Sequence, residues 1–221
     1  MPDWEKIFKE KGYVFVDFHP DILKLTTIFK NGDVKKILDI GCGTGRHIVH
    51  FSRQGFEVSG FDASQTALGL SMKWLKDEGL FADLSLSRME EQFPYPDCFF
   101  DAVISIQVIH HNLMQDILAS IREVERVLKI GGYLFITVPI FGPKPENPED
   151  DWNLHQVEDG TFIPQSGPES GIPHHYFTEE ELHEVLRNFK ILEMHIDDTN
   201  HRCILAIRNS KSDHPIQMLE K

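Results

Sequence analysis

The segment ILDIGCGTG at residues 37–45 decides the fold, because it joins a short apolar run to a turn rich in glycine. The Ile and Leu residues are typical of a buried strand, and the segment after the turn has helix-like spacing. Gly41, Gly43 and Gly45 lack a Cβ, so the backbone can turn sharply there and approach a ligand closely. The pattern predicts a strand, a tight turn and a helix with a nucleotide-like ligand at the turn. Taken alone, such a turn also serves strand-to-helix packing without any ligand.

Strands and helices alternate along the rest of the chain, which favours a parallel sheet covered on both faces. The predicted fold class is therefore α/β, a Rossmann-like, doubly wound sheet in a single domain. Residues 117–132, ILASIREVERVLKIGG, are predicted as a helix that stops at two glycines. The predicted parts are a helical cap at 1–33, a cofactor-binding core at 34–139, a lid-like insertion at 140–176, a helix with an antiparallel hairpin at 177–208, and a tail at 209–221. The insertion is rich in Pro, Gly and acids, so we expect a long loop over one sheet edge.

The residues around the glycine turn discriminate between ligands. A dinucleotide fingerprint requires GxGxxG, but its last position here is Arg46, and the third glycine comes one residue early. Asp39, just before the turn, disfavours a pyrophosphate and suits a cation, such as a sulfonium with an amino acid tail. Asp62 ends the predicted second strand, where a carboxylate can accept hydrogen bonds from both ribose hydroxyls. Asp62 suits NAD equally well, and its alternative role is to cap the next helix.

Composition excludes several classes of function. The chain has 22 Lys and Arg against 35 Asp and Glu, a formal net charge of −13, and no basic run that could neutralise a phosphate backbone. We therefore expect no nucleic acid partner. The three cysteines are odd in number and outside CxxC spacing, so neither a disulfide framework nor a zinc site is predicted. Without an apolar run for a signal peptide or a membrane span, we expect a cytoplasmic protein with no membrane partner. The sequence does not indicate an oligomeric state.

Four blocks between residues 34 and 139 occur together in a fixed order: ILDIGCGTGRH, VSGFDAS, FPYPDCFFDAVISIQVIHH and REVERVLKIGGYLFITVP. In this order and spacing they resemble the class I S-adenosylmethionine-dependent methyltransferases, especially the small-molecule group with a methyltransferase-11 type domain. The resemblance implies a seven-stranded sheet whose last strand is antiparallel. It also implies S-adenosylmethionine as the cofactor and S-adenosylhomocysteine as the product.

The same resemblance implies the cofactor-binding residues. It places Asp39, Gly41, Cys42, Gly43 and Gly45 around the methionine part of the cofactor, Asp62 and Ala63 at the ribose and adenine, and Gln107 near the transferred methyl group. One position departs from the family, which commonly has an acid after the third strand that meets the adenine amine. Met89 stands there in this chain, so either Glu90 takes over or Met89 contributes its backbone and an apolar face.

The acceptor end carries no decisive motif. His110 and His111 follow the fourth predicted strand at the carboxyl edge of the sheet, where one of them could orient or deprotonate an acceptor. His175 and Tyr176 end the insertion and are further catalytic candidates. The alternative for these histidines is helix capping or backbone bonding. No HxH or HExxH pattern occurs, so no metal site is predicted.

Aromatic side chains of the helical cap and the insertion are predicted to wall an acceptor pocket under a lid. They are Trp4, Phe8, Tyr13 and Tyr176. Packing into the core is the alternative for all of them. The predicted function is in-line transfer of the methyl group from S-adenosylmethionine to an unidentified small molecule. A non-catalytic, cofactor-binding regulatory protein and an NAD-dependent oxidoreductase are the alternatives.

Overall fold

A computed structural model describes residues 4–14, 16–142 and 152–210. The helices are α1 (Trp4–Lys11), α2 (Asp21–Asn31), α3 (Arg46–Arg53), α4 (Gln65–Asp77), α5 (Met114–Val127) and α6 (Glu179–Val185). The strands are β1 (Lys36–Ile40), β2 (Glu57–Asp62), β3 (Asp83–Leu86), β4 (Phe100–Ile106), β5 (Leu128–Pro139), β6 (Leu154–Glu158), β7 (Thr161–Pro164), β8 (His174–His175), β9 (Phe189–Ile196) and β10 (His201–Arg208). None of the helices in these ranges offers an apolar stretch long enough to cross a bilayer.

The main sheet has seven strands in the order β3-β2-β1-β4-β5-β10-β9. β1 pairs in parallel with both β2 and β4, and β10 runs antiparallel between β5 and β9. The predicted fold class, including the antiparallel last strand, is confirmed. Strand order reverses between β1 and β4, so the loops at their carboxyl ends diverge and leave a crevice.

Alternating side chains of the strands feed two apolar cores, one on each face of the sheet. Leu38 and Val103 pack with residues of α5 and α6 on one face. Ile37 and Ile104 pack with residues of α2, α3 and α4 on the other face. A parallel sheet buried on both faces requires such nearly continuous apolar strands, as the sequence of β1 and β4 indicates.

Two local helix predictions are confirmed by their caps. The Ser64 hydroxyl accepts a hydrogen bond from the Ala67 amide at the start of α4. Thr178 and Glu181 form the predicted capping box at the start of α6, each side chain bonding to the other residue's backbone amide. These bonds satisfy amide groups that the first turn of a helix leaves without partners.

The predicted end of the long helix is wrong. α5 ends at Val127, and both glycines that were expected to stop it lie inside β5. A Cβ at Gly132 would come within 2.9 Å of the Asp101 carbonyl oxygen. The pairing of β4 with β5 shifts register between Phe100 and Ala102. Glycine is therefore needed here for close approach of two strands at a bulge, and not for a helix end.

The insertion is also more ordered than predicted. β6, β7 and β8 form a separate three-stranded antiparallel sheet, which we call the lid sheet, in place of the expected loop. The turn between β6 and β7 is Asp159-Gly160, with φ of +70° at the glycine, and a DG pair between strands is a strong hairpin signal. Residues 143–151 of the insertion and 211–221 of the predicted tail lie outside the described residues.

We predict that Gly45→Ala destabilises the protein, whereas Gly69→Ala does not. Gly45 has φ of +92°, and a Cβ there would lie 2.3 Å from Ser71 Oγ, so we expect a loss of about 2 kcal/mol or more in the free energy of unfolding. Gly69 lies inside α4 with nothing within 4 Å of a Cβ, so alanine should add about 0.5–1 kcal/mol. Urea denaturation measures both changes. Equal stability of the two variants would contradict the prediction.

Candidate functional site

A cavity of about 660 Å³ lies at the carboxyl ends of β1, β2 and β4. Its walls come from the glycine turn, the loops after these strands, α1 and the lid sheet. Of the predicted cofactor-binding residues, the cavity is lined by Asp62, Ala63, Met89, Glu90 and Gln107, and by Gly41, Cys42 and Gly43 of the turn. Asp39 and Gly45 lie behind this wall. The crevice predicted by the strand order is thus present and large enough for a ligand of drug-like size.

The glycine turn has left-handed backbone at each of its three glycines. The φ values are +65° at Gly41, +54° at Gly43 and +92° at Gly45. A Cβ at Gly41 would come within 2.4 Å of Val108 in the loop after β4. The absence of Cβ atoms therefore lets the turn fit between that loop and α4 while its backbone faces the cavity.

Asp62 is buried and oriented by the backbone. Its Oδ2 accepts a hydrogen bond from the Gly43 amide and its Oδ1 from the Ser64 amide, both at 2.8 Å. Burial raises the pKa of this carboxyl, while the amide hydrogen bonds oppose the rise. Each carboxylate oxygen can accept more than one hydrogen bond. Asp62 can therefore hold a diol in the cavity without giving up its backbone partners.

Asp39 has an unpaired oxygen. Its side chain is 2% exposed, and Oδ2 has no hydrogen-bond partner. The nearest imidazole is that of His47, with Nδ1 3.8 Å from Oδ2. Burial raises the pKa of Asp39 to about 8, the charge of Arg46 opposes the rise, and Asp62 adds to it. Burial also holds the pKa of His47 well below its usual range, so that ring is neutral. A buried acceptor without a donor indicates a place for a ligand's N–H group.

Gln107 lies just beyond β4 in a strained conformation. Its φ is +60°, which is uncommon for a residue with a side chain, and its amide donates to Thr137 Oγ1 at 2.8 Å. The side-chain oxygen of Gln107 accepts a hydrogen bond from Arg46 at 3.0 Å. Strain of this kind persists where the surroundings impose it and is frequent at ligand sites.

We call the part of the cavity that is lined by the glycine turn, Asp62, Met89 and Gln107 the cofactor half. The loop after β3 forms its far end. The Ser120 hydroxyl donates to the Met89 carbonyl at 2.8 Å, which fixes the backbone of the loop. Glu90 accepts hydrogen bonds from Arg88 and Asn112. Met89 therefore presents its side chain to the cavity, while the Glu90 carboxylate is already engaged by protein groups.

Helix α1 roofs this half of the cavity. Trp4 and Phe8 line the cavity, as predicted, whereas the Tyr13 hydroxyl bonds to the Leu70 carbonyl outside it. Glu5 anchors the helix, because its carboxylate accepts hydrogen bonds from Ser64 Oγ at 2.6 Å and from the amide and hydroxyl of Thr66 at 3.0 and 2.8 Å. The bond from Ser64 contributes most to lowering the pKa of Glu5 to about 2. Sequence reasoning missed Glu5, since nothing near it in the chain signals these partners.

The opposite end of the cavity is rich in histidine. The rings of His110 and His111 lie 4.0 Å apart between centroids, and the ring of His174 lies 4.7 Å from that of His111. Burial, reinforced by the charges of neighbouring histidines, lowers the pKa values of His110 and His111 well below the usual range. His174 and Glu169, neither of which was among the predicted catalytic residues, lie in the insertion and join the predicted pair, with His174 Nε2 2.6 Å from Glu169 Oε2.

The other two catalytic candidates have different positions. Tyr176 lines the cavity, as the prediction of a lid requires, and burial raises the pKa of its phenol. His175, in contrast, does not line the cavity. Its ring is fully buried behind the lid sheet, with Nδ1 2.7 Å from Thr161 Oγ1. Side chains alternate between the two faces of a strand. His174 and Tyr176 line the cavity, so His175 between them points to the other face.

Comparison with known proteins identifies the central part of the chain. Residues 38–136 match the family described as "Methyltransferase domain". Residues 38–136 form a class I methyltransferase domain. The chain is 31% identical over 103 residues to the ubiquinone biosynthesis O-methyltransferase of Azoarcus sp. (strain BH72), a match over 47% of this chain and 43% of that protein. The chain thus matches less than half the length of this relative.

Solved structures share the fold of this methyltransferase domain. An S-adenosylmethionine-dependent methyltransferase of Methanosarcina mazei superposes with a TM-score of 0.67 at 24% identity, covering 87% of this chain and 99% of that one. The 1,6-didemethyltoxoflavin-N1-methyltransferase of Burkholderia thailandensis, solved with its substrate and S-adenosylhomocysteine, superposes with a TM-score of 0.63 at 17% identity, covering 86% and 79%. The predicted methyltransferase domain is confirmed for residues 38–136, and these neighbours share its fold.

The cavity of the methyltransferase domain fits S-adenosylmethionine. The unpaired Oδ2 of Asp39 suits an ammonium donor, and the glycine turn leaves the space that β-carbons would fill. Asp62 offers its two oxygens to a diol, and Met89 offers an apolar face to a base. A pyrophosphate would instead bring no donor group for the unpaired Oδ2 of Asp39.

We predict that Asp39→Asn weakens S-adenosylhomocysteine binding and removes its dependence on pH. Cofactor binding by the wild type should tighten as pH rises from 6.5 to 8, because the ligand's ammonium group pairs with the ionised carboxyl, whose pKa is about 8. Calorimetry of both proteins across this range measures the effect. A pH profile that is the same in both proteins would contradict the assignment.

The same substitution should stabilise the protein without ligand. The folded-state pKa of Asp39 lies above its usual 3.8, so the folded state holds a proton that the unfolded chain loses, and stability falls as pH rises between these values. Asparagine cannot ionise and avoids this loss. The melting temperature of Asp39→Asn should therefore exceed that of the wild type by a margin that grows from pH 6 to pH 8, as thermal denaturation would measure.

Proposed function

We propose that the chain transfers the methyl group of S-adenosylmethionine to a small molecule held under the lid sheet. One observation carries the proposal: a single cavity extends from Gly41 and Asp62 at the cofactor half to His174 and Tyr176 of the lid sheet region. Donor and acceptor can therefore lie in one enclosure with a short path between them. Alignment of two reactants in such a site removes much of the entropic barrier of a bimolecular displacement.

The residues of the cofactor half have distinct roles in this proposal. The bound cofactor supplies an electrophilic methyl group on a sulfonium. Asp39 pairs with the ammonium of the amino acid tail, and the glycine turn contacts that tail with its backbone. Asp62 holds the ribose hydroxyls, and Met89 packs against the adenine. Gln107, which is kept in place by its hydrogen bond from Arg46, would lie near the transferred methyl group.

We call the part of the cavity next to the lid sheet the acceptor half. Its lining favours a small substrate with an aromatic portion. Its walls carry the apolar or aromatic side chains of Trp152, Ile163, Ile172 and Tyr176. The lid sheet and α1 cover the cavity from two sides. Such a covered cavity suits a small molecule, which can be enclosed, better than it suits a polymer. The net charge of −13 likewise disfavours a polyanionic acceptor.

Polar groups at this end orient the acceptor. The Tyr176 phenol, whose pKa is raised by burial, stays protonated at neutral pH and can donate a hydrogen bond. His111 lies at the opposite wall, next to Trp4, with ring centroids 5.2 Å apart. Because the electrophile comes from the cofactor, the protein needs no nucleophilic side chain of its own; its contribution is alignment and exclusion of water.

Calorimetry with S-adenosylmethionine, S-adenosylhomocysteine and NADH tests the cofactor. We expect binding of the first two and none of NADH. Asp62→Asn should weaken S-adenosylhomocysteine binding about 10-fold or more, because one ribose acceptor becomes a donor. Asp83→Asn, an exposed substitution at the start of β3, is the matched control and should leave the affinity unchanged. Binding of NADH alone would refute the proposal.

Methyl-labelled cofactor identifies the acceptor. Incubated with a metabolite extract, the protein should place the label in a compound of low molecular mass, and Tyr176→Phe should reduce the incorporation at least about 5-fold with unchanged affinity for S-adenosylhomocysteine. The reduction follows from loss of one hydrogen bond to the acceptor. Label found only in protein or nucleic acid would contradict the small-molecule assignment. Unchanged incorporation would remove Tyr176 from the acceptor site.

A further inference from the structure

The histidines at the acceptor end form a group with the spacing of metal ligands. One ring nitrogen each from His110, His111 and His174 lies within 4.8 Å of the others. The Glu169 carboxylate adjoins them, with Oε2 2.6 Å from His174 Nε2 and 3.7 Å from His111 Nε2. Three imidazoles and a carboxylate are a donor set that zinc and related divalent ions accept.

The hydrogen bonds of these side chains leave nitrogen atoms available. His174 Nδ1 donates to the Ile172 carbonyl at 2.9 Å, since a carbonyl only accepts. This bond fixes the ring so that Nε2 points at Glu169, as in metal sites where a backbone carbonyl orients a ligating imidazole. His110 Nδ1 is buried without any partner. A buried polar atom that finds no donor or acceptor in the protein calls for a ligand.

From this arrangement we propose that His110, His111 and His174, with Glu169, bind a divalent transition metal ion of the zinc type. A tetrahedral site with zinc–nitrogen distances of about 2.0–2.1 Å requires the nitrogens to be about 3.4 Å apart. The ring nitrogens lie within 4.8 Å of one another, so they would have to approach by at most about 1.4 Å to reach this value. All four side chains belong to residues that line the cavity, so the ion is accessible from it.

The ion would connect the core to the lid sheet. His110 and His111 follow β4 in the main sheet, whereas Glu169 and His174 belong to the insertion. The two parts already meet through the backbone, where the His175 amide donates to the His110 carbonyl at 2.9 Å. Metal binding at this point would therefore hold the lid sheet against the core. If the proposed function holds, an oxygen or sulfur atom of the acceptor reaches the ion only as a fifth ligand, added to the four protein ligands.

Zinc titration of the untagged, chelator-treated protein tests the site. By calorimetry we expect one equivalent with a dissociation constant of about 1 μM or below. His174→Gln and His111→Gln should each weaken this binding at least about 10-fold, while their S-adenosylhomocysteine affinity, measured without metal, reports that they are folded. Because cofactor binding is measured separately, failure of the metal site and failure of the proposed function give different results.

A second group controls for adventitious binding. Among the described residues, His19, Asp197 and Cys203 also lie within ligand distance of one another, between α2 and β10. Cys203→Ser should leave zinc affinity unchanged. X-ray absorption of the zinc-loaded protein should show only nitrogen and oxygen ligands at about 2.0–2.1 Å and no sulfur at about 2.3 Å. A sulfur ligand, loss of binding in Cys203→Ser, or no stoichiometric binding would each overturn the proposal.

Discussion

The left-handed backbone of the glycine turn is the constraint on which the site depends. Side chains at Gly41 and Gly45 would overlap Val108 and Ser71, so the turn is fixed between the loop after β4 and the helix α4. Gly43 continues the turn and uses its amide to orient Asp62. The glycine turn thus determines both the shape of the cofactor half and the direction of the Asp62 carboxylate. Few other residues could meet both requirements without strain.

The two buried carboxylates of the site are stabilised differently. Asp62 accepts backbone amide bonds, which compensate for part of its loss of hydration. Asp39 keeps one oxygen without a partner in the protein, which is unfavourable and which a cationic ligand would relieve. A ligand that binds only the folded state stabilises it by an amount that grows with the logarithm of its affinity. The unpaired oxygen of Asp39 therefore lowers the stability of the free protein and also favours a positively charged ligand.

Local patterns predicted much of the fold and of the cofactor half, because their partners are close in the chain. The glycine turn, the Ser64 cap and the antiparallel hairpin all follow from spacing within a few residues. The Asp159-Gly160 turn carried an equally local signal for the lid sheet, but the composition around it favoured a loop. The histidine group and the anchor at Glu5 depend on contacts between distant segments, and no periodicity encodes those. The sequence also does not reveal which of the adjacent His174 and His175 lines the cavity.

The anchor of α1 has a consequence for how the protein responds to acid. A carboxyl group whose folded-state pKa is about 2, against an ordinary 4.5, contributes its full share of stability above the ordinary value and loses it only as the pH falls toward 2. Glu5 therefore remains charged in any mildly acidic compartment or buffer. Mild acid therefore does not weaken the hydrogen bonds by which Glu5 holds α1 over the cavity.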